Sequence, residues 1–319
     1  MYNVAPLLEG CVRSLFAQTL SDFEVVFVDD CSTDSTPDRL QALLAELQPG
    51  RPDITVKTAR HDHNRGVAAA RNTAMDLAEG EFIYSVDADD TVVPDALETL
   101  YRTAMDGQAD IVVCEWDMVF GRNARRMRQP DVATGEELFV KVARGVLRWN
   151  LWLFLVRRTL YTQNGIRFIE GRNMGEDLMA LLCMALHAGR VAVVHRPLYR
   201  YVQTNTSALT KHFMDCRDEV TANVEAAAAY LYRHGPEHLY PLVYQLQLTV
   251  KLPLLISPHR ADYEAWRAWF PEANAHIGEN PDISRRTRML QRWALKRRYN
   301  LLQLYYYAVI KFVYGIIFR

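Results

Sequence analysis

Between Phe23 and Phe120 the chain alternates short β-branched and aromatic runs with amphipathic stretches of helical length, and no other feature narrows its fold so far. "FEVVFVDD" (Phe23–Asp30) has the composition of a buried strand and closes on two acids. "STDSTPDRLQALLAEL" supplies N-cap residues and then a helix. "DITVKTARH" reads as a second strand. "NRGVAAARNTAMDLAEG" is a glycine-led turn into an alanine-rich helix, and "EFIYSVD" is a strand again. "PDALETLYRTAMDG" and "ADIVVCEWDMVF" repeat the pair, and "PLLEGCVRSLFAQ" (Pro6–Gln18) is a further helix with proline in its first turn. Strands alternating with helices of this length predict a doubly wound, mostly parallel sheet, whose ligands bind at the strand carboxyl ends.

Both acidic clusters of the region, Asp29-Asp30 and Asp87-Asp89-Asp90, lie at such ends, so one crevice can collect them. Carboxylates this close repel one another unless something positive holds them. A strand-end Asp-x-Asp suits Mg2+ or Mn2+, hard cations that take one or two protein carboxylates and leave positions for phosphates and water. Such a cation offsets the charge that builds on a leaving diphosphate. The plainer reading is a solvated turn with aspartate capping the segment before Pro94.

Four segments decide between these readings by their order: "VDDCSTDST", "HNRGVAAARN", "SVDADD" and "GEDLMA". Together, over about Tyr2 to Ser207, the chain resembles the family 2 glycosyltransferases of bacterial capsular and exopolysaccharide synthesis. That resemblance implies the GT-A fold: a Rossmann-like, mostly parallel sheet flanked by helices. It also implies an inverting hexosyltransferase-type reaction, in which a sugar moves from a nucleotide-diphosphate donor, usually UDP-linked, to a hydroxyl of a saccharide or lipid-linked acceptor. By the same resemblance Asp30 accepts a hydrogen bond from the base and Asp87 lies near the ribose. Asn64, Gly66 and Arg71 lie near the diphosphate, Asp89 is the principal ligand of Mn2+ or Mg2+, and Asp177 is the general base. Trp149 and Glu176 fall on the acceptor side, with the stretch "PLYRYVQTNTSAL". Relatives often carry Tyr-x-Tyr-Arg where this chain has Tyr199-Arg200-Tyr201-Val202, which leaves no basic residue at the last position. Local readings remain beside these roles: Glu176 and Asp177 also suit a helix N-terminus, Arg71 an exposed surface, and Tyr199 and Tyr201 a core.

Members of that family begin with a strand of the type "VSVIIPxYN". This chain starts at "MYNV", inside that motif, so the first strand is expected upstream of Met1, and its absence would unpair two neighbours in the middle of the sheet. From about Thr134 the pattern changes to mixed helices, and two domains are expected: residues 1–210 binding the nucleotide sugar and residues 211–319, largely helical. The tail "LLQLYYYAVIKFVYGIIF" (Leu301–Phe318), preceded by the basic "RRTRMLQRWALKRR", suits an interfacial helix on an anionic bilayer or a helix packed on protein. The five cysteines are odd in number and form no CxxC pair, no secretory leader is visible, and net charge is −1. These features point to a reducing, cytoplasmic location, peripheral at the inner face of the plasma membrane, with no call for nucleic acid. A nucleotidyltransferase would need a glycine-rich, lysine-containing phosphate loop near the N-terminus, which is not visible. The non-enzymatic alternative is a sugar-nucleotide-binding or scaffold protein, impaired by the missing strand.

Overall fold

The computed structural model describes residues 1–121, 123–203 and 215–314, with side chains as far as Lys311. The elements run α1 (Leu8–Phe16), β1 (Phe23–Asp29), α2 (Thr36–Leu47), β2 (Ile54–Arg60), α3 (Val67–Leu77), β3 (Phe82–Tyr84), β4 (Thr91–Val92), α4 (Ala96–Gly107), β5 (Ile111–Phe120) and β6 (Asn123–Met127). They continue with α5 (Gly135–Ala143), β7 (Phe154–Arg157), α6 (Arg158–Gln163), α7 (Glu176–Ala185), β8 (Val191–Val202) and α8 (Arg217–His234). Last come α9 (Leu242–Val250), α10 (Arg260–Ala268), α11 (Arg285–Leu295) and α12 (Tyr299–Tyr305).

The expected α/β fold of alternating strands and helices is present, and its sheet is mixed. β1 and β2 pair in parallel, from Phe23 opposite Ile54 to Asp29 opposite Arg60. A second sheet has the order β3-β7-β5-β8-β4, with β6 added to β5. Within it β5 and β8 are parallel, whereas β7 runs antiparallel to both β3 and β5, and β4 and β6 are antiparallel to their partners. Among the described residues β1 and β3 each pair with one strand. Beside the end of β1, the Met1 amine donates to the Val28 carbonyl at 2.7 Å and the Asp30 N–H donates to the Met1 carbonyl at 2.8 Å.

The chain divides into two compact units. The first, Met1–Leu138 with Trp149–Ala227, contains both sheets. Its core centres on the fully buried run Ile111–Cys114 of β5, and Leu178–Ala185 of α7 are buried on every side of the helix. A helix apolar all round has to be enclosed in this way. The second unit joins Phe139–Arg148 to Ala228–Arg319. The Thr249 hydroxyl donates to the Ala143 carbonyl at 3.0 Å, and Asn280 Nδ2 donates to the Arg144 carbonyl, also at 3.0 Å. These bonds tie the short segment to the second unit, apart from the sequence on either side of it. The boundary expected at residue 210 falls outside the described residues, and the observed division lies within α8.

In the second unit Lys251 is fully buried, donating to the carbonyls of Trp269 (2.8 Å) and Phe270 (3.2 Å) and to Asn274 Oδ1 (2.7 Å), above the Trp266 ring. Burial pushes its pKa down to about 7, and the oxygen cage offsets the cost of an enclosed cation. The helix from Tyr299 continues as a wider, π-type coil to Tyr314, with Leu304 and Tyr307 exposed and Leu302 and Tyr305 buried. The rest of the expected interfacial segment lies outside the described residues. No described helix is long and apolar enough to cross a membrane.

Candidate active site

The carboxyl end of β1 carries Asp29 and Asp30, both buried. Asp29 Oδ1 accepts from the Ser32 N–H (3.2 Å) and hydroxyl (2.5 Å) and closes the turn after the strand. Asp30 reaches across to the loop that follows β2. Its Oδ1 accepts from the Arg65 N–H at 2.9 Å and pairs with His61 Nδ1 at 2.6 Å, and its Oδ2 accepts from the Gly66 N–H at 2.7 Å. His61 Nε2 pairs in turn with the Thr73 hydroxyl of α3 at 2.9 Å. One carboxylate thus fixes the turn Asn64–Gly66 and the entry to α3, with Asn64 itself exposed.

Gly66 is required there for two reasons. Its φ is +87°, and an added Cβ would lie 2.2 Å from the Asn173 amide oxygen. Asn173 belongs to the loop before α7, and its side chain accepts from the Ala68 N–H at 3.3 Å. That loop is fastened to α8: the Asn173 and Met174 N–H groups both donate to Glu219 Oε2, and Asn223 Nδ2 donates to the Met174 carbonyl at 2.9 Å. Gly66→Ala is therefore expected to cost about 1–3 kcal/mol in stability through the strained backbone alone, with further loss from displacing Asn173. Urea unfolding measures this, and an unchanged midpoint would show that the loop yields freely.

The second acidic cluster sits between β3 and β4. Asp90 is fully buried, accepting from the Tyr199 hydroxyl at 2.8 Å and from the Val202 N–H at 2.7 Å. Burial pushes its pKa up to about 8, with Asp87 and Asp89 adding to the rise. The same Tyr199 oxygen accepts from the Asp87 N–H at 3.1 Å, so one phenol of β8 sets the whole turn. Tyr199 is locked in place by stacking on Trp152, with centroids 4.3 Å apart. Asp87 and Asp89 are half-buried at the mouth of the turn. Asp87 is raised to about 6 chiefly by desolvation, Asp177 and Asp89 adding and Arg71 opposing.

Arg71 of α3 joins this cluster to the third one. Its Nη1 donates to Glu176 Oε1 at 2.6 Å and to Asp177 Oδ1, its Nη2 lies 3.7 Å from Asp87 Oδ1, and its guanidinium stands over the Phe168 ring. Glu176 and Asp177 occupy the first turn of α7 after left-handed Gly175, where helix N–H groups favour anions. Asp177 Oδ2 also accepts from the Leu151 N–H at 3.1 Å, and half-buried Trp149 lies two residues before that donor. Burial and Asp177 push the Glu176 carboxyl well above the ordinary range, against the pull of Arg71.

The structure therefore brings Arg71, Asp87, Glu176 and Asp177 together. Glu176, expected on the acceptor side, is buried against Arg71, and Arg71, expected on a diphosphate, is held by three carboxylates. Asp30 is occupied as the anchor of the loop that includes Gly66. His61, Asn173 and Glu219 were not among the expected site residues, and Tyr199, expected in the acceptor-side stretch or in a core, instead sets the acidic turn. Among the described residues no group of three or more His, Cys, Asp or Glu side chains is placed to enclose a metal ion. Asp87 and Asp89 nonetheless fit a cation of the magnesium or manganese type, which needs only one or two protein carboxylates when phosphates complete its shell.

The model of glycosyl transferase family 2 matches residues 1–179, more than half of the chain. The chain belongs to glycosyl transferase family 2. Its relatives within and around the family include the succinoglycan biosynthesis protein ExoO of Rhizobium meliloti, 30% identical over 247 residues that cover 75% of this chain and 68% of the relative. The uncharacterized glycosyltransferase YibD of Escherichia coli is 28% identical over 222 residues, 66% of this chain and 62% of its own length. The fold resembles that of S. aureus TarS 1–349 in complex with UDP, with a TM-score of 0.66 at 20% identity over 96% of this chain and 89% of TarS 1–349. The family match ends just past Asp177, so all three acidic clusters of this family 2 chain lie inside it.

Proposed function

We propose that the protein is an inverting glycosyltransferase that moves a sugar from a UDP-linked donor to a hydroxyl of a saccharide or lipid-linked acceptor in surface-polysaccharide synthesis. The observation that carries this reading is the Arg71 bridge, which holds the strand-end acid Asp87 and the helix-end acid Asp177 in one cluster. The turn from Asn64 to Gly66, ordered by Asp30, lies beside the nucleotide diphosphate, and Asp87 faces its ribose. Asp177 takes the proton of the acceptor hydroxyl as that oxygen attacks the anomeric carbon, with UDP leaving from the opposite face. Attack opposite to departure inverts the configuration. Asp89 would hold Mn2+ or Mg2+, which when bound supplies positive charge to the leaving diphosphate. The exposed Leu304 and Tyr307, near Lys296, Arg297 and Arg298 in sequence, support a peripheral contact of the second unit with the inner face of the plasma membrane.

Thermal-shift titration with UDP, GDP and CMP, each with and without manganese, tests the donor site. At a ligand concentration of 100 Kd, linkage predicts about 2.7 kcal/mol of stabilisation. A manganese-dependent shift selective for UDP is expected in the wild type and is expected to vanish in Asp89→Ala. A folded protein that shifts with none of the nucleotides refutes the reading.

A further inference from the structure

Both oxygens of Asp177 are engaged in the arrangement above, which suits a resting state and not a base at work. Oδ1 accepts from Arg71 Nη1, and Oδ2 accepts from the Leu151 N–H at 3.1 Å. A carboxylate paired with a guanidinium is a poorer proton acceptor than a free one, and the guanidinium stands where a hydroxyl has to approach. Arg71 and Asp177 expose only 15% and 13% of their side chains, so water does little to loosen the pair. One of the two contacts has to open before Asp177 can take a proton.

The Leu151 contact comes from the main chain just before β7 and anchors the first turn of α7, so Arg71 is the partner able to move. It sits on α3, where Cα–Cβ bonds tilt toward the helix N-terminus and therefore toward the turn Asn64–Gly66. Gly66 precedes it by five residues, about 7.5 Å along the axis. The guanidinium is held unevenly. Nη1 donates to Glu176 Oε1 at 2.6 Å and to Asp177, whereas Nη2 lies 3.7 Å from Asp87 Oδ1, too far for a hydrogen bond. Its tight side faces the base and its loose side faces the donor. Glu176 makes departure tolerable. Burial and Asp177 already push its carboxyl well above the ordinary range, so without Arg71 it takes up a proton and one charge, on Asp177, stays behind.

We propose that Arg71 is a latch on Asp177 that the donor operates: the diphosphate draws the guanidinium away through parallel N–H bonds and frees Asp177 Oδ1 for the acceptor. Asp177 Oδ1 then takes the hydroxyl proton. The acceptor oxygen's electron pair forms the bond to the anomeric carbon, and the bond from that carbon to the UDP oxygen breaks with its pair on UDP. Once the sugar has moved, the carboxylates compete for Arg71 again and favour release of UDP. The latch lowers affinity for the donor, because binding has to open it.

The latch rests on the glycosyltransferase reading, and its test reads binding, not turnover. UDP affinity with manganese is measured by calorimetry for the wild type, Asp177→Asn, Arg71→Met and the double variant, below the lowest melting temperature of the four. Asp177→Asn weakens the latch and is expected to bind UDP about tenfold more tightly than the wild type, or better. The same change in the Arg71→Met background, where no latch exists, is expected to alter affinity less than twofold. Equal tightening in both backgrounds would mean simple relief of charge repulsion and would overturn the proposal, as would no tightening at all. A crystal structure of the wild-type chain with UDP and manganese decides independently of the variants. A guanidinium moved onto the diphosphate, with Asp177 Oδ1 released, supports the latch; one still bonded to Asp177 overturns it and leaves the donor site standing. A folded wild type that binds no UDP removes the donor site and the latch together.

Discussion

Asp177→Asn is expected to lower turnover of a UDP-sugar by about 10²–10⁴-fold, the range for removing a positioned general base, without weakening nucleotide binding. The substitution is close to isosteric. An asparagine oxygen can still accept from the Leu151 N–H that now bonds Asp177 Oδ2, so the start of α7 keeps its anchor. What disappears is the basic oxygen that pairs with Arg71. The measurement is UDP release from the donor in the presence of an acceptor fraction that supports wild-type turnover, alongside the manganese-dependent UDP shift. Glu176→Gln gives the contrast. Glu176 is 7 % exposed and faces Arg71, so its loss should disturb stability more than proton transfer. An Asp177→Asn chain that binds UDP and turns over at the wild-type rate would remove Asp177 from the base role.

What could be read from the sequence was whatever is local. The runs Phe23–Asp30 and Glu81–Asp87 declare strands because their apolar residues are bounded by acids and turns, and the acids then mark the carboxyl ends. Gly66 and Gly175 announce turns because each starts a helix from a positive φ. Strand order is different. The four residues of β7 wedge antiparallel between β3 and β5, and nothing in "FLVR" says so, because pairing is decided by tertiary packing. The same limit applies to the site. Arg71 lies 105 and 106 residues from Glu176 and Asp177, and an arginine on an alanine-rich helix looks like a surface residue until α7 arrives beside it. His61 reads as the last residue of the second strand, and nothing local says that it sits against Asp30. The division within α8 leaves no mark in composition because the helix runs through it.

Arg71→Met is expected to be the most damaging single change to the first unit. Truncating one partner of a buried charge cluster strands the others, typically at about 3–5 kcal/mol. Here the stranded groups are Glu176 and Asp177 in the first turn of α7, with Asp87 nearby. At about 2–4 °C per kcal/mol for a unit of this size, melting should fall by about 6 °C or more. The pH dependence identifies the cause. Arg71 is the larger of two influences that lower the Glu176 pKa against burial and Asp177, the other being a main-chain hydrogen bond, so its removal raises that carboxyl further. A carboxyl whose folded pKa lies above its unfolded value favours the fold at low pH and loses that contribution as pH rises through the folded value. The deficit of Arg71→Met should therefore be largest at neutral pH and shrink as pH falls toward the ordinary glutamate range. Arg71→Lys keeps the charge but cannot span two carboxylates with a planar fork, so it should recover part of the stability while nucleotide-dependent turnover stays low. Melting curves across pH for the three proteins decide the matter. An Arg71→Met deficit that does not change with pH would mean that lost packing on Phe168, and not stranded charge, is what the arginine supplies.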